Sequence, residues 1–328
     1  MTRRTFHVAI AVLLGVTLAG GCGTPEATSH RQTPTPPFPQ PSGVTTPTEI
    51  PREQSLECEP TRSLRPDGPL PPPGEMAAGS TMAEIQRRGR LIVGIGSNAY
   101  LLSFRDPYTG EVRGFEAEFV REIAFAIFGD RDRIQFKVFD LAGRFQAVKD
   151  KTVDMVIAAT TITCERWLDV AFSVDYYPGG QQVLVRKDSP FQRIEDLGGK
   201  KVCASSASKV NLQAIASVST KPVPVGAANV ADCMLLLQQG QIDAVSTDRL
   251  ILAGLAAQDP ATHIVGPKFT DAPTGILMSH EHHDLVRFVN GVLTKLIADG
   301  TWSRFYQTWL ASQIGPADPP VPQYRTEQ

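Results

Sequence analysis

From Thr81 to Leu310 short apolar runs alternate with longer amphipathic stretches. That alternation restricts the folded part to a sheet with helices on its faces, an α/β class with parallel strands. "TMAEIQRRG" has Thr81 and Glu84 near a helix start and Gly89 at its end. "RLIVGIG" is a short buried strand. "GFEAEFVREIAFAIFG" sets Phe115, Phe119, Ile123 and Ile127 at steps of four, the stripe of an amphipathic helix closed by Gly129. "RIQFKVF" and "TVDMVIAA" are strands around the helix "AGRFQAVKD". After a Tyr-Tyr-Pro-Gly-Gly break at 176–180 the pattern resumes with the strands "QQVLVRK" and "KKVCAS". The helix "SKVNLQAIAS", the strand "KPVPVG" and the helix "NVADCMLLLQQG" follow, with Asn229 as N-cap. Then come "QIDAVST", "DRLILAGLAAQ", "HIVG" and "GILMS", followed by two terminal helices.

One echo organises this list. "TVDMVIAATT" and "QIDAVSTD" are both apolar-Asp-x-Val strands that end in hydroxyl and polar residues. Two lobes of similar construction are expected. In open α/β sheets ligands bind beyond the carboxyl ends of strands. Two lobes facing each other by those ends would form a cleft.

Outside this body the ends read differently. Arg3 and Arg4 precede an uncharged apolar stretch from Val8 to Gly21, the pattern of a secretory signal and short for a membrane span. Its end, "LAGGC", resembles the lipobox of bacterial lipoproteins, in which Cys22 would be acylated. Ala19 stands where leucine is usual, so a plain signal peptide is the alternative. Residues 23–80 carry 14 of the 26 prolines and no apolar period, so they read as an extended tether. At about 3.1 Å per residue, its first 35 residues reach at most roughly 100 Å. The formal net charge of −2 implies no basic surface for nucleic acid.

With Cys22 assigned to a lipid, Cys58, Cys164, Cys203 and Cys233 remain. An even number in an exported chain implies two disulfides, with three connectivities open. No CxxC spacing supports a zinc site or a redox motif. His280, Glu281, His282 and His283 cluster, but no second set of ligands accompanies them, and an exposed turn is expected. Trp302, Phe305, Tyr306 and Trp309 lie at helical spacing and are expected in the core. Ser205 and Ser206 have no nearby base, which leaves nucleophilic catalysis unsupported.

The strand ends carry the chemistry. After the first come Thr161, Thr163 and Arg166; after the second, Thr247 and Asp248. A guanidinium fork beside hydroxyls suits a carboxylate, and an aspartate suits an ammonium. Set across a cleft, Arg166 and Asp248 would complement the zwitterion of an α-amino acid.

Several stretches resemble family 3 of the bacterial solute-binding proteins: "GFEAEFVREIA", "VDMVIAATTITCERWLDVAFSVDYYPGGQQVLV", "IEDLGGKKVC", "LLLQQGQIDAVSTD" and "VNGVLTKLIADGTWSRFYQTWL". Within the family the likeness is to glutamine- and glutamate-binding lipoproteins of actinobacterial ABC importers. It covers about residues 82–311. The resemblance implies a two-lobe type II periplasmic binding protein fold, each lobe a mixed sheet flanked by helices, with a two-segment hinge. Lobe 1 would be 82–177 plus 274–311 and lobe 2 180–271, with the signal at 1–21, the tether at 22–80 and a C-terminal tail at 312–328.

By the same resemblance Arg166 clamps the α-carboxylate, Thr161 assists it, and the Ala159 carbonyl and Asp248 receive the ammonium. In lobe 2 the family's basic, glycine-containing loop is replaced by "ASSASKV"; Ser208 and Ser206 supply hydroxyls and Lys209 is a candidate for the missing charge. Gly96 stands where relatives carry an acid, which argues against a cationic ligand side chain. Tyr100 or Phe104 is a candidate for the pocket wall, with core packing the expected role of Phe104. A Cys203–Cys233 bridge is implied, and with that pair taken, Cys58–Cys164. The expected protein is a monomeric, lipid-anchored receptor on the outer face of the bacterial cytoplasmic membrane. It would bind Glu, Asp, Gln or Asn and deliver it to ABC permease subunits, with no cofactor, metal or chemical step. A sensor signalling to a membrane partner is the alternative, and a dehydratase-like enzyme ranks last.

Overall fold

The computed structural model describes residues 38–50, 56–96, 99–140 and 142–326. The signal-like segment, Cys22 and the first part of the tether lie outside the described residues. Two five-stranded mixed sheets form the frame. The first runs in the order Ile134–Phe139, Leu91–Gly96, Met155–Val156, Leu277–Met278, Ala171–Phe172. The second runs Val223–Ala227, Lys201–Ser205, Ala244–Asp248, Gln181–Arg186, Thr262–Val265. Most strands are parallel, and one strand in each gives the sheets the expected mixed character. Leu277–Met278 and Gln181–Arg186 run antiparallel to both of their neighbours. Each is the first strand its sheet receives after a crossing of the hinge, so it enters from the opposite end.

Those crossings pair with each other. Tyr177–Gly179 and Ala272–Thr274 form a two-stranded antiparallel ribbon between the sheets. Side chains stitch it on both edges. Asp175 accepts from the Thr274 and Tyr177 amides at 2.8 and 2.9 Å. Lys268 donates to the Pro178 and Gly179 carbonyls at 3.0 Å each. A Cβ at Gly179 would overlap the Asp248 carboxylate and the Ala272 carbonyl, so only glycine fits there.

Local signals behave as chemistry predicts. Ser80 caps the helix Thr81–Arg88 and left-handed Gly89 ends it. Asn229 and Asp232 form a capping box on Val230–Gln238. Phe115, Phe119, Ile123 and Ile127 are buried in the first core, and Trp302 and Tyr306 stack beside them. Phe305 and Trp309 are partly buried against the same core. His282 and His283 sit where the helix His283–Ala298 begins, and the neighbouring Glu281 pairs with Lys151.

The folded body starts earlier than Thr81 and ends later than Leu310, a correction to the tether and tail boundaries. Arg62–Ser63 pairs in parallel with Gln323–Tyr324, and the Ser63 hydroxyl donates to the Phe172 carbonyl at 2.6 Å. Leu64, Leu70 and Met76 pack on the first core. Further upstream, Thr45 exchanges two backbone hydrogen bonds of 2.8 Å with Gly226 at the edge of the second sheet. Proline-rich chain has no period because it docks through isolated backbone and side-chain contacts rather than a continuous face, and so gives no sequence signal.

Two disulfides are present, Cys58–Cys164 and Cys203–Cys233, closing sequence separations of 106 and 30. Longer loops lose more unfolded-chain entropy when closed, so serine replacement of the first pair should cost about 1 kcal/mol more than replacement of the second. Urea unfolding of the two double variants checks this; equal losses would mean that strain or residual structure outweighs loop length.

Candidate ligand-binding site

A cavity of about 120 Å³ lies between the carboxyl ends of the two sheets. One water needs roughly 10–15 Å³ by this measure, so the space suits on the order of ten heavy atoms, the size of a free amino acid. Gly96, Arg144, Ala159, Thr160, Thr161 and Arg166 line it from the first lobe; Ser205, Ser208, Asn211, Thr247 and Asp248 line it from the second.

The first wall is the turn after Met155–Val156. Ala159 adopts φ +45°, a left-handed conformation that costs a non-glycine residue energy unless its surroundings impose it. Two buried side chains grip this turn. The Glu116 carboxylate accepts the Ala159 amide at 2.6 Å, the Tyr176 hydroxyl at 2.5 Å and the Ser103 hydroxyl at 3.3 Å. The Arg144 guanidinium donates to the Ala158 carbonyl and, at 2.6 Å, to the Thr160 hydroxyl. Arg166 donates to the Thr161 carbonyl at 2.7 Å and lies over the Phe145 ring, 5.5 Å from its centre. Thr161 in turn bridges to Thr274 of the hinge.

Electrostatics follow from burial. Glu116 is 0 % exposed; desolvation pushes its carboxyl up, opposed by the bonds from Tyr176, Ala159 and Ser103. Burial, then the Arg166 charge, pulls the Arg144 guanidinium down to about 9. Two guanidiniums thus share one small space.

Across the cavity Asp248 is 8 % exposed. Its oxygens accept the Leu250 amide at 2.8 Å, which caps the helix Arg249–Gln258, and the Gly180 amide of the hinge at 2.9 Å. Burial pushes this carboxyl up to about 7, against the pull of those two amides and of Lys268. Beside it Asn211 donates to the Thr247 hydroxyl at 3.1 Å.

Of the residues singled out by sequence, Arg166, Thr161, Ala159, Asp248 and Ser208 line this cavity. Ser206 does not: its hydroxyl donates to the Ala227 carbonyl at 2.7 Å, toward the sheet edge. Lys209 also lies outside the lining, with its ammonium 3.9 Å from Glu165 of the opposite lobe. Tyr100 and Phe104 line a separate cavity of about 630 Å³ that shares Gly96 and Ala99 with the first. Glu116, Arg144 and Asn211 were not identified from sequence. At Gly96 a Cβ would meet, among the described residues, the Ala99 and Ala158 methyls at 3.6 and 3.7 Å, ordinary van der Waals contact.

Residues 91–312 match the model of the bacterial extracellular solute-binding proteins, family 3. The ABC transporter glutamine-binding protein GlnH of Bacillus subtilis (strain 168) is 32% identical over 231 residues, 70% of this chain and 84% of that one. A mutant ArgBP from T. maritima superposes with a TM-score of 0.61 at 29% identity, covering 70% of this chain and 99% of that one. The ancestral amino acid-binding protein AncCDT-1, a precursor of cyclohexadienyl dehydratase, gives 0.62 at 29% identity over the same shares.

Proposed function

The chain belongs to the bacterial extracellular solute-binding proteins of family 3, and on that footing we propose that it is a lipid-anchored receptor for a free polar or acidic amino acid (Glu, Asp, Gln or Asn). The observation that carries this reading is the placement of Arg166 and Asp248 on opposite walls of one amino-acid-sized cavity. The ligand carboxylate meets the Arg166 fork and the Thr161 side of the turn. The ammonium meets Asp248 and the Ala159 turn. Arg144, already bonded to the Ala158 carbonyl and the Thr160 hydroxyl, also lines the cavity, and its charge favours an oxygen at the ligand side chain. Gly96 offers no carboxylate to a cationic side chain; Asp140, the acid that lines the first-lobe side, already accepts the Gly143 amide at 2.7 Å. Each charge needs a partner to offset its desolvation, so the site is complete only when both lobes contact the ligand. Ligand therefore shifts the hinge toward closure through its greater affinity for that state.

The closed receptor hands its ligand to ABC permease subunits in the membrane, and the anchor at Cys22 keeps it there. The GlnH relative carries that transporter assignment in its name. Titrating the purified protein with the twenty amino acids in a calorimeter tests the binding step. A response confined to Glu, Asp, Gln or Asn supports it, and silence toward all four overturns it. A deletion strain that keeps normal uptake would move the role from transport to sensing.

Lys209→Ala is a smaller test of the same picture. Its pair with Glu165 spans the lobes but is half exposed, so the loss should stay under about 1 kcal/mol, less than about fivefold in affinity. A hundredfold loss would instead make Lys209 a direct ligand contact.

A further inference from the structure

Glu116 is fully buried, lies outside the cavity lining and has no part in the binding reading above. Its three donors come from different places. The Ala159 amide belongs to the left-handed turn of the cavity wall. The Tyr176 hydroxyl belongs to the residue immediately before the hinge strand Tyr177–Gly179. The Ser103 hydroxyl lies behind them in the core. Tyr176 is itself fixed: its amide donates to the Thr274 carbonyl at 2.9 Å, and its carbonyl accepts the Trp302 indole N–H at 2.7 Å. A single carboxylate therefore joins the strained backbone of the site to the first hinge strand. Arg144 restrains the same turn through the Ala158 carbonyl and the Thr160 hydroxyl.

We infer that Glu116 is a positioning residue: through the Ala159 amide and the Tyr176 hydroxyl it holds the turn that receives the ligand's ammonium in register with the hinge. This rests on the reading that the ammonium sits at the Ala159 turn. A left-handed alanine relaxes toward the right-handed or extended regions once its amide is released, because only local bonding offsets its cost. Relaxation would rotate the peptide facing the ammonium and leave the Arg166 end in place. The effect should therefore fall on the amino group of the ligand and spare its carboxylate.

The test compares two ligands on the same protein: L-glutamine or L-glutamate, whichever binds more tightly, and the matching compound without the α-amino group, glutaramate or glutarate. The ratio of their affinities isolates the ammonium end. A general softening of the lobe would weaken both alike and leave the ratio unchanged. Glu116→Met, of similar length but without the acceptor, is expected to cut the ratio about tenfold or more. Tyr176→Phe, which removes one donor and leaves the carboxylate, is expected to cut it about threefold. The double variant should lose little beyond Glu116→Met alone, since both act through one carboxylate. An unchanged ratio in Glu116→Met overturns the inference. Should that variant fail to fold, an unchanged ratio in Tyr176→Phe does the same. A wild-type protein with no preference for the amino compound would overturn the ammonium assignment itself, a result distinct from either.

Discussion

Arg166→Ala should reduce amino-acid affinity by about 2–5 kcal/mol, roughly 30- to 5,000-fold, the usual cost of truncating one partner of a desolvated, hydrogen-bonded charge pair. Two losses combine. The ligand carboxylate loses the fork that matches it, and the Thr161 carbonyl loses its 2.7 Å donor, which loosens the turn on that wall. Arg166→Lys separates them. Lysine keeps the charge but lacks the planar pair of donors, so affinity should recover only in part. Calorimetry reads the affinities, and the ligand-free thermal midpoint checks the fold. A midpoint near wild type is expected, because Arg166 is only partly buried. Affinity within threefold of wild type in Arg166→Ala would remove Arg166 from the site.

The second large effect is on pH. In the free protein the Asp248 carboxyl titrates near 7. An ammonium in contact with it favours the ionised form, so the complex has the lower value and binding releases a proton below neutrality. Affinity should therefore rise with pH, by about tenfold between pH 6 and pH 8, and level off above. Asp175, pushed up to about 6 by burial, faces hinge amides rather than the cavity and should add little to this slope. The stability of the free protein moves the other way. Both carboxyls have raised values in the fold, so between about pH 4 and pH 7 the folded state binds more protons than the unfolded chain. Their contribution is full below that window and fades as pH rises through it. The thermal shift produced by ligand should widen over the same window because the affinity rises. Asp248→Asn should flatten the affinity profile and release no proton; a profile unchanged by that substitution would assign the titration to another group.

The elements legible in the sequence were those that repeat or terminate cleanly. The two Asp-x-Val strands do end at one cavity, bringing Thr161 and Arg166 to one wall and Thr247 and Asp248 to the other. Their positions were readable because residues directly after a strand of an open α/β sheet have few places to go. Glu116 and Arg144 were not readable. Glu116 falls in the first turn of the helix Phe115–Phe128, where an acidic residue normally serves the helix dipole in solvent. The approach of Ser103, Ala159 and Tyr176, the last 60 positions later in the chain, accompanies its burial. Arg144 similarly looks like a surface residue of the short helix Gly143–Lys149 until the Ala158–Thr160 turn closes over it. Ser206 and Lys209 were misplaced for a related reason. A one-residue rotation at a strand end decides whether a side chain faces the cavity or the neighbouring strand, and residue type alone does not fix that rotation. The docked tail segments depend on isolated contacts such as Ser63 with Phe172 and Thr45 with Gly226.

The most direct test of the central claim is a crystal structure of the protein with its tightest amino acid. The account predicts the ligand carboxylate bidentate on the Arg166 guanidinium, and its ammonium within hydrogen-bond distance of both the Asp248 carboxylate and the Ala159 carbonyl. A ligand bound with its ends reversed, or seated in the cavity lined by Tyr100 and Phe104, would contradict it.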